Sequence, residues 1–407
     1  MNLVYEVLTH LLRLLFFWLP PLRVRINFEN KNKTEPLAQS FARDGVVADI
    51  AFEFSSEGEF QQIGSLVADS LREGKKVELI FFSPSVEKTV LDLAKNFPKQ
   101  IRYLRYPIAT LGFRKWITSK NLVLVRYDLF PEFLFWAGKK ENTLKMVWVS
   151  FKRERLKKKK ISWMKKAFLK KSKKVVFASV ADKDYVSPLG IEGSVYDFRI
   201  EQIHRRIRNK TKTFEEKFFT YPDLLKALEQ VTPDKRLIMG NAWPVDLHLL
   251  KNLPEDFVLV VVPHQLKPEI LDSFRERLKG MGRAPVEIND SMTAIPEAKT
   301  YILNKKGVLC ELYHDFPKAY VGGGFGVSIH SVLEPLVAGS ERISCGPVHQ
   351  RSTEYDVAQD FGRITEVNNS DDFTQWLLAD SLNSGDHGKL NAIISSYEQS
   401  VKDILTC

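Results

Sequence analysis

The sequence is poor in cysteine, with only three among its 407 residues: Cys310, Cys345 and Cys407. Their spacing matches neither a disulfide framework nor a zinc-binding motif, so they favour a reducing compartment and structural roles. No cluster of histidine, cysteine and acidic residues has metal-site spacing, and no internal period is sustained along the chain. These absences argue against a disulfide-stabilised secreted domain and a repeat protein, and they favour an activity that needs no metal.

A long uninterrupted apolar run is also missing. Residues 11–22 are apolar apart from Arg13, but a bilayer crossing needs about 20 such residues, and Pro20 ends any helix. The segment is a poor secretory signal, because no basic region precedes it and no small-residue cleavage site follows it. We expect residues 1–34 to form an interfacial helix or short membrane anchor, with the basic residues from Arg23 onward keeping the rest cytoplasmic. A core helix that caps the first domain is the alternative.

Basic residues outnumber acidic ones, with 60 Lys and Arg against 50 Asp and Glu and a net charge of +10. This balance indicates an anionic partner. The densest basic block, residues 152–174, contains interleaved apolar side chains and favours contact with a membrane surface. A nucleic-acid patch and a solvated helix face are the alternatives; the apolar N-terminus favours the membrane, and we expect no nucleic-acid partner. The residues assigned to acceptor or membrane contact are Lys152, Arg153, Arg155, Lys157, Lys158 and Trp163.

The arrangement of apolar runs predicts an α/β fold. From residue 49 onward, short apolar runs alternate with amphipathic stretches, as in parallel strands joined by crossover helices. One such series ends near residue 179 and a second begins near residue 237, with a polar segment between them. We therefore expect two Rossmann-like, doubly wound domains that face each other across a cleft, with ligands bound beyond the carboxyl ends of the strands.

The most informative stretch is residues 322–335, where a glycine-rich loop leads into a helix predicted over residues 328–338. Such a junction binds anions, because the unpaired N–H groups of the helix start face the loop. Glu334, almost two turns into the predicted helix, is suited to hydrogen-bond a ribose hydroxyl. The stretch therefore indicates a nucleotide site; a corner whose glycines serve packing alone is the alternative.

Other polar residues follow predicted strands. Glu59 lies at a strand–helix corner, where it can act as general base toward a substrate hydroxyl or simply complement the helix dipole. Asp128 follows another strand of the same domain and can support Glu59 or cap a helix. In the second domain, Asn241 and His264 each follow a strand and can line the nucleotide site.

In their order and spacing, these motifs resemble the 3-deoxy-D-manno-octulosonic acid (Kdo) transferases of lipopolysaccharide synthesis. The resemblance covers nearly the whole chain. It is carried by Ser56-Glu57-Gly58-Glu59, Gly240-Asn241-Ala242-Trp243-Pro244, Pro263-His264, residues 322–326 with 330–335, and Gly346-Pro347 with Glu354.

The resemblance implies a GT-B fold and inverting transfer of Kdo from CMP-Kdo to a lipid A precursor at the cytoplasmic face of the inner membrane, without a cofactor. It implies Glu59 as the base and Asp128 as a supporting acid. The implied domains are an anchor (1–34), an acceptor-binding domain (35–210), a linker (211–235), a CMP-sugar-binding domain (236–387) and a C-terminal helix (388–407). The implied donor-binding residues are Asn241, His264, Gly322, Gly323, Gly324, Gly326, Ser328, His330, Ser331 and Glu334.

Two departures from the family pattern lie in the first domain. Arg126 stands where family members usually carry an acid, and Asp128 is a shortened acid. The turn at residues 193–198 is also altered. These changes leave open a related CMP-sugar transferase with another surface-glycan acceptor, or a non-catalytic relative that binds anionic lipid.

Overall fold

The protein, analysed as a computed structural model, consists of two α/β units. The structure describes residues 45–106, 116–126, 129–151, 161–209, 228–289, 295–349, 352–379 and 387–397, and scattered positions (4, 7, 8, 11, 14, 18, 23, 27, 224, 226, 292, 401, 404 and 405). Unit 1 comprises Met1–Arg199 and Ser396–Cys407, and unit 2 comprises Ile200–Ser395.

Unit 1 is built on a seven-stranded parallel sheet with the order β3-β2-β1-β4-β5-β6-β7. Its central strands are almost wholly apolar because helices cover both faces of such a sheet. The strands are β1 (Ile50–Phe54), β2 (Val77–Phe81), β3 (Ile101–Arg105), β4 (Asn121–Val125), β5 (Thr143–Val149), β6 (Lys174–Phe177) and β7 (Ser194–Val195). The helices are α1 (Glu57–Arg72), α2 (Glu87–Asn96), α3 (Pro131–Ala137), α4 (Trp163–Lys171) and α5 (Val180–Val186), with 3₁₀ turns at Pro84–Val86 and Ser187–Leu189. Helix α6 (Phe198–Arg208) begins in unit 1 and continues into unit 2.

Unit 2 repeats this plan with a second parallel sheet, in the order β10-β11-β9-β8-β12-β13-β14. Its strands are β8 (Arg236–Ala242), β9 (Val258–Pro263), β10 (Val286–Ile288), β11 (Thr300–Leu303), β12 (Lys318–Val321), β13 (Arg342–Cys345) and β14 (Ile364–Glu366). Its helices are α7 (Pro268–Gly280), α8 (Leu309–Leu312), α9 (Leu333–Ala338), α10 (Thr353–Asp360), α11 (Ser370–Leu378) and α12 (His387–Ser395), with 3₁₀ segments at Pro233–Lys235, Pro244–Asn252 and Tyr313–Asp315.

The two-sheet α/β prediction is confirmed. The apolar runs predicted as strands in the two series correspond to eleven of the described strands, and the sequence missed only β7, β10 and β14. All three lie at sheet edges, where a short strand is buried on fewer sides and therefore lacks a long apolar run. Gly193, directly before β7, lets the chain approach β6 closely, because a Cβ there would lie 2.3 Å from the Val175 carbonyl oxygen.

The chain passes between units at places that the sequence did not predict. The boundary after Arg199 falls inside α6 (Phe198–Arg208), whereas we expected a linker over residues 211–235. The predicted C-terminal helix over residues 388–407 is also divided: α12 (His387–Ser395) belongs to unit 2, and the residues from Ser396 onward return to unit 1. There the Tyr397 hydroxyl donates to Asp69 at 2.6 Å.

The predicted N-terminal anchor, residues 1–34, lies largely outside the described residues. Val4, Val7, Leu8, Leu11 and Leu14 are described there as helical and exposed. Among the described residues, no helix is both long and apolar enough to cross a bilayer.

A buried ion pair fixes one side of the unit 1 sheet. The carboxylate of Glu78 (β2) and the guanidinium of Arg102 (β3) are fully buried, with 3.4 Å between Oε1 and Nε. Glu78 also accepts hydrogen bonds from the backbone N–H groups of Thr118 and Ser119, at 2.9 and 3.1 Å. The Arg102 guanidinium covers the Trp116 ring at 4.1 Å from its centroid. The pair therefore holds residues 116–119 against two strands.

We predict that Glu78→Ala destabilises unit 1 by about 3–5 kcal/mol, because it leaves the Arg102 charge and two backbone N–H groups buried without their acceptor. Glu73→Ala is the control, since the Glu73–Lys75 pair is exposed and its loss costs at most about 1 kcal/mol. Urea unfolding followed by tryptophan fluorescence measures the difference. Equal midpoints for the two variants would contradict the structural role of the pair.

Candidate functional site

The predicted donor-binding residues of unit 2 meet at one edge of its sheet. Strands β8 and β12 are neighbours, and the chain continues from β8 toward β9 on one side of this pair and from β12 toward β13 on the other. In open α/β sheets, ligands bind at such a switch point, beyond the carboxyl ends of the strands. Asn241 lies at the end of β8, His264 follows β9, and the glycine loop (residues 322–326) follows β12.

Three aromatic rings form a stack at this edge. The imidazole rings of His264 and His330 are 4.1 Å apart between centroids, with an interplanar angle of 24°. The Trp243 ring lies 4.9 Å from the His264 ring, and its Nε1–H donates to Nε2 of His330 at 3.4 Å. We name Trp243, His264 and His330 the ring stack. Trp243 belongs to a motif that the sequence singled out, but it was not among the predicted binding residues.

Both imidazoles of the ring stack are neutral near pH 7. Burial and, to a smaller extent, the neighbouring His264 lower the pKa of His330 to about 4. Burial also lowers the pKa of His264, although the residue as a whole is exposed. Indole N–H is only a donor, so Nε2 of His330 accepts, and this neutral ring carries its proton on Nδ1.

A buried carboxylate joins the ends of β8 and β12. Oδ2 of Asp246 accepts hydrogen bonds from the backbone N–H groups of Trp243, at 2.8 Å, and Gly323, at 3.3 Å. Its burial raises its pKa to about 6, and the backbone N–H groups of Trp243 and Gly323 limit that rise. The hydroxyl of Tyr320 donates to the Gly323 carbonyl at 3.1 Å. Asp246 therefore fixes the glycine loop against the segment that carries the ring stack.

The first three glycines of the loop are required by packing. A Cβ at Gly322 would lie 2.1 Å from the Asn241 carbonyl oxygen, and one at Gly324 would lie 2.6 Å from Cα of Gly346. Gly323 and Gly324 also have φ values of 89° and 84°, in the left-handed region. The packing explanation that the sequence left open thus accounts for these three residues. Gly326, with φ of 89°, is exposed and meets no atom within 4 Å of such a Cβ.

The helix predicted over residues 328–338 is shorter than expected. Helix α9 begins at Leu333. Pro335 has no backbone N–H, which is tolerated in the first turn of a helix but costs a hydrogen bond deeper inside one. Ser328 and Ser331 therefore lie in an irregular, partly buried segment. A carboxylate oxygen of Glu354 accepts from the backbone N–H groups of Val332 and Leu333, at 3.0 and 3.4 Å. Two N–H groups of this helix start therefore already have an acceptor within the protein, and the phosphate contact of Ser328 stays a prediction.

Glu334 lies in the first turn of α9, not two turns into a helix, and its surroundings were missed by the sequence. Its burial raises its pKa to about 7; Arg206 lowers that pKa, and Glu354 and Glu311 raise it. The guanidinium of Arg206 binds the buried carboxylate of Glu311 at 2.8 Å. No sequence pattern links these residues, because Arg206 and Glu311 are far apart in the chain. A carboxyl with a pKa near 7 can donate or accept a hydrogen bond with a ligand hydroxyl.

In unit 1, Glu59 lies where the sequence placed it, in the first turn of α1 after the end of β1. Its side chain is largely buried, and Oε2 accepts from the backbone N–H of Ser55 at 2.6 Å. A first-turn position also fits the alternative that Glu59 complements the helix dipole, and the Ser55 contact holds the carboxylate in one orientation at the strand end. Asp128 lies outside the described residues. Its neighbour Arg126 has φ of 62°, and its guanidinium lies 4.2 Å from the centroid of the Trp148 ring.

The basic block is only partly described. Lys152, Arg153, Arg155, Lys157 and Lys158 lie outside the described residues, whereas Trp163 begins α4 and is 74% exposed. The apolar residues Phe168 and Leu169 pack in the core of unit 1, and so does much of Lys165, whose Nζ donates to the Ser150 carbonyl at 2.7 Å. The expectation that these apolar side chains form a membrane face is wrong, because they cover the sheet instead.

Comparison with known proteins gives the fold. No protein-family model matches the chain, and no curated protein sequence matches it. UDP-GlcNAc 2-epimerase from Neisseria meningitidis, in a crystal structure bound to UDP-GlcNAc, is similar, with a TM-score of 0.53, 11% identity, and coverage of 86% of this chain and 100% of that one.

Two further solved structures match more loosely. The α,α-trehalose-phosphate synthase (UDP-forming) from Burkholderia vietnamiensis has a TM-score of 0.43 and 12% identity, covering 88% of this chain and 98% of that one. The C-terminal CMP-Kdo binding domain of WaaA from Acinetobacter baumannii has a TM-score of 0.32 and 16% identity, covering 49% and 95%. The likeness to the epimerase is one of fold, and the two parallel sheets with their helices form the GT-B architecture expected from the sequence.

Among the described residues, no three His, Cys, Asp or Glu side chains are grouped to hold a metal ion. The chemistry available at the strand ends is that of backbone N–H groups, neutral imidazoles and carboxyls.

We predict that Gly322→Ala destabilises unit 2 by about 1–3 kcal/mol and weakens any ligand bound at the loop, because its Cβ would overlap the backbone of Asn241 and Ala242. Gly280→Ala is the control, since a Cβ there meets no atom within 4 Å. Thermal unfolding gives the stability of each variant. Unchanged stability of Gly322→Ala would mean that the loop and β8 are not in this close contact.

Proposed function

We propose that this protein is an inverting glycosyltransferase that transfers Kdo from CMP-Kdo to a lipid A precursor. The ordered motifs of the sequence support this proposal, and the GT-B fold is compatible with it. The observation that carries it is the convergence of the Asn241 segment, the ring stack and the glycine loop at the switch point of the unit 2 sheet. The similar Neisseria meningitidis epimerase was crystallised with UDP-GlcNAc, a nucleotide sugar.

In this proposal, unit 2 binds the donor. The cytidine phosphate lies at the strand ends beside His264 and Gly326, and Glu334 hydrogen-bonds the ribose. As the donor reacts, the bond between the anomeric carbon and the phosphate oxygen breaks, and CMP leaves with the electron pair. Backbone N–H groups and imidazoles stabilise the charge that develops on this leaving group, so the reaction needs no metal.

Unit 1 supplies the base. The Glu59 carboxylate removes the proton from an acceptor hydroxyl while that oxygen attacks the anomeric carbon from the face opposite CMP, which inverts the configuration. The Ser55 N–H bond orients the carboxylate. Asp128 is proposed as a supporting acid. The proposed acceptor carries phosphates, which fits the excess of basic residues in the chain.

The proposed site of action is the cytoplasmic face of the inner membrane. The exposed residues Val4, Val7, Leu8, Leu11 and Leu14 recur every three or four positions, which places them on one face of a helix. We propose that this apolar face lies in the membrane interface, as amphipathic helices at membrane surfaces do. The basic block and exposed Trp163 are proposed to act at the same surface.

We predict that Glu59→Gln lowers kcat by about 10²–10⁴-fold, because the amide cannot accept the acceptor proton. The Gln oxygen can still accept from the Ser55 N–H, so the loop is retained. Glu57→Gln is the matched control from the same helical turn; the Glu57 carboxylate accepts from the Thr89 hydroxyl at 2.8 Å, and Gln preserves this bond. Transfer from CMP-Kdo to a lipid A precursor is measured. Undiminished turnover in Glu59→Gln would remove Glu59 as the base.

The same assay tests substrate class. Lipid A precursor, non-lipid glycans and no acceptor are each offered with CMP-Kdo, and UDP-GlcNAc is offered as a competing donor. Arg126, which replaces a usual family acid, motivates the second candidate function: transfer from a CMP-sugar to another surface glycan. Transfer only to a non-lipid glycan would favour that function. Binding to anionic lipid without transfer to any acceptor would favour the non-catalytic relative.

We predict that replacing Leu11 and Leu14 together with Glu weakens binding to anionic phospholipid vesicles by at least tenfold, because each buried leucine contributes about 1.5–3 kcal/mol. Leu378→Glu is the control, since Leu378 is exposed on α11 in unit 2. Vesicle co-sedimentation of the full chain measures the binding. If the double variant sediments like the unaltered protein, the N-terminal helix is not the membrane contact.

A further inference from the structure

The ring stack brings two imidazoles together, and among the described residues no carboxyl raises the pKa of either one. His264 and His330 follow different strands, yet their rings stack at 4.1 Å between centroids. The His264 backbone N–H donates to the Ala242 carbonyl at 2.9 Å, and that of His330 donates to the Gly322 carbonyl at 3.2 Å. The pair is therefore anchored to both β8 and the glycine loop, before any ligand arrives.

Three carboxyls on the surrounding elements are engaged with other protein groups. Carboxyl oxygens of Asp246 and Glu354 accept from backbone N–H groups, and Nε2 of His349 lies 2.6 Å from Oε2 of Glu366. None of these carboxyls raises the pKa of either imidazole of the pair; burial lowers both. The groups on these elements are Asp246, His248, Lys267, Tyr320, Glu334, His349, Glu354 and Glu366.

We propose that His264 and His330 form the phosphate subsite of the nucleotide site, and that one proton enters this pair together with the anion. This inference rests on the proposed function, which supplies the nucleotide. It adds that the protein changes its ionisation when the nucleotide binds. The proton comes from solvent and bonds to an imidazole nitrogen of His264; no bond of the ligand forms or breaks.

The geometry assigns the proton to His264. Nε2 of His330 already accepts from the Trp243 indole N–H, so its protonation would break that contact. His264 is an exposed residue, so an anion can reach the part of its ring that the stack leaves uncovered. Without an anion, burial disfavours the charged form of His264. A phosphate oxygen in contact supplies the missing negative charge and raises the imidazole pKa.

The sign of the pH dependence follows. Binding that takes up a proton becomes tighter as pH falls, by at most about tenfold per pH unit for one proton. The affinity rises in the pH interval between two pKa values of His264. The lower is that of the free protein, which lies below the usual value, and the higher is that of the complex. Above both pKa values, affinity no longer depends on this group.

The test is calorimetric titration of the full chain with the methyl ester of cytidine 5′-monophosphate. This phosphodiester keeps one negative charge between about pH 5.5 and 8, so the ligand itself exchanges no phosphate proton. Titrations at one pH in buffers of different ionisation enthalpy give the number of protons taken up. We expect net uptake of up to about one proton, and affinity that rises up to about tenfold per unit as pH falls.

Variants locate the proton. His264→Gln is expected to abolish the uptake and the pH dependence, whereas His330→Gln retains uptake because His264 remains. His314→Gln is the matched control: His314 is exposed, precedes β12 at the opposite end of that strand, and its Nδ1 contacts the Ala338 carbonyl at 3.1 Å. Uptake that persists in His264→Gln would overturn the assignment.

The outcomes separate the two proposals. Binding of the cytidine ester without proton uptake overturns the inference and leaves the proposed function standing. Uptake with the methyl ester of uridine 5′-diphosphate, in the absence of cytidine binding, supports the subsite and overturns the CMP donor. Failure of both ligands to bind overturns both proposals.

Discussion

The strand-end architecture of unit 2 depends on one buried carboxylate. Asp246 sits in the 3₁₀ segment after β8, and its Oδ2 is shared between the N–H groups of Trp243 and Gly323. Burial of a charged oxygen is unfavourable unless such donors surround it, and the pKa of about 6 shows that compensation is incomplete. Because one acceptor serves two segments, the glycine loop and the Trp243 segment hold one another in place.

The glycines allow this close packing, because they carry no side chain at the points where backbone segments meet. Gly322 lies against Asn241, and Gly324 lies against Gly346, so the loop after β12 contacts the segments that follow both neighbouring strands. A glycine-rich loop near a proposed phosphate site therefore has two separable roles here. Residues 322–324 pack against other backbone segments of unit 2, whereas the backbone of Gly326 is exposed.

Local sequence predicted the sheets well, because parallel strands buried on both faces produce apolar runs that few other structures produce. It also predicted which segments meet, since the carboxyl ends of neighbouring parallel strands share an edge. It failed where a long-range partner decides the local structure. Helix α9 loses its expected first turns where Pro335 limits the helix and Glu354 binds its N–H groups, and the Arg206–Glu311 pair next to Glu334 has no sequence signal at all. The roles of Glu59 and Asp128 stay predictions.

The return of the last residues to unit 1 makes unit 2 an insertion within unit 1. The ammonium of Lys145, buried in the middle of the unit 1 sheet, donates to the Ile404 carbonyl at 2.7 Å, and Lys75 donates to that of Leu405 at 3.3 Å. Cutting the chain after Arg199 would therefore release a first half that lacks part of its own interior. Unit 1 is therefore complete only when the segment before residue 200 and the segment after residue 395 are both present.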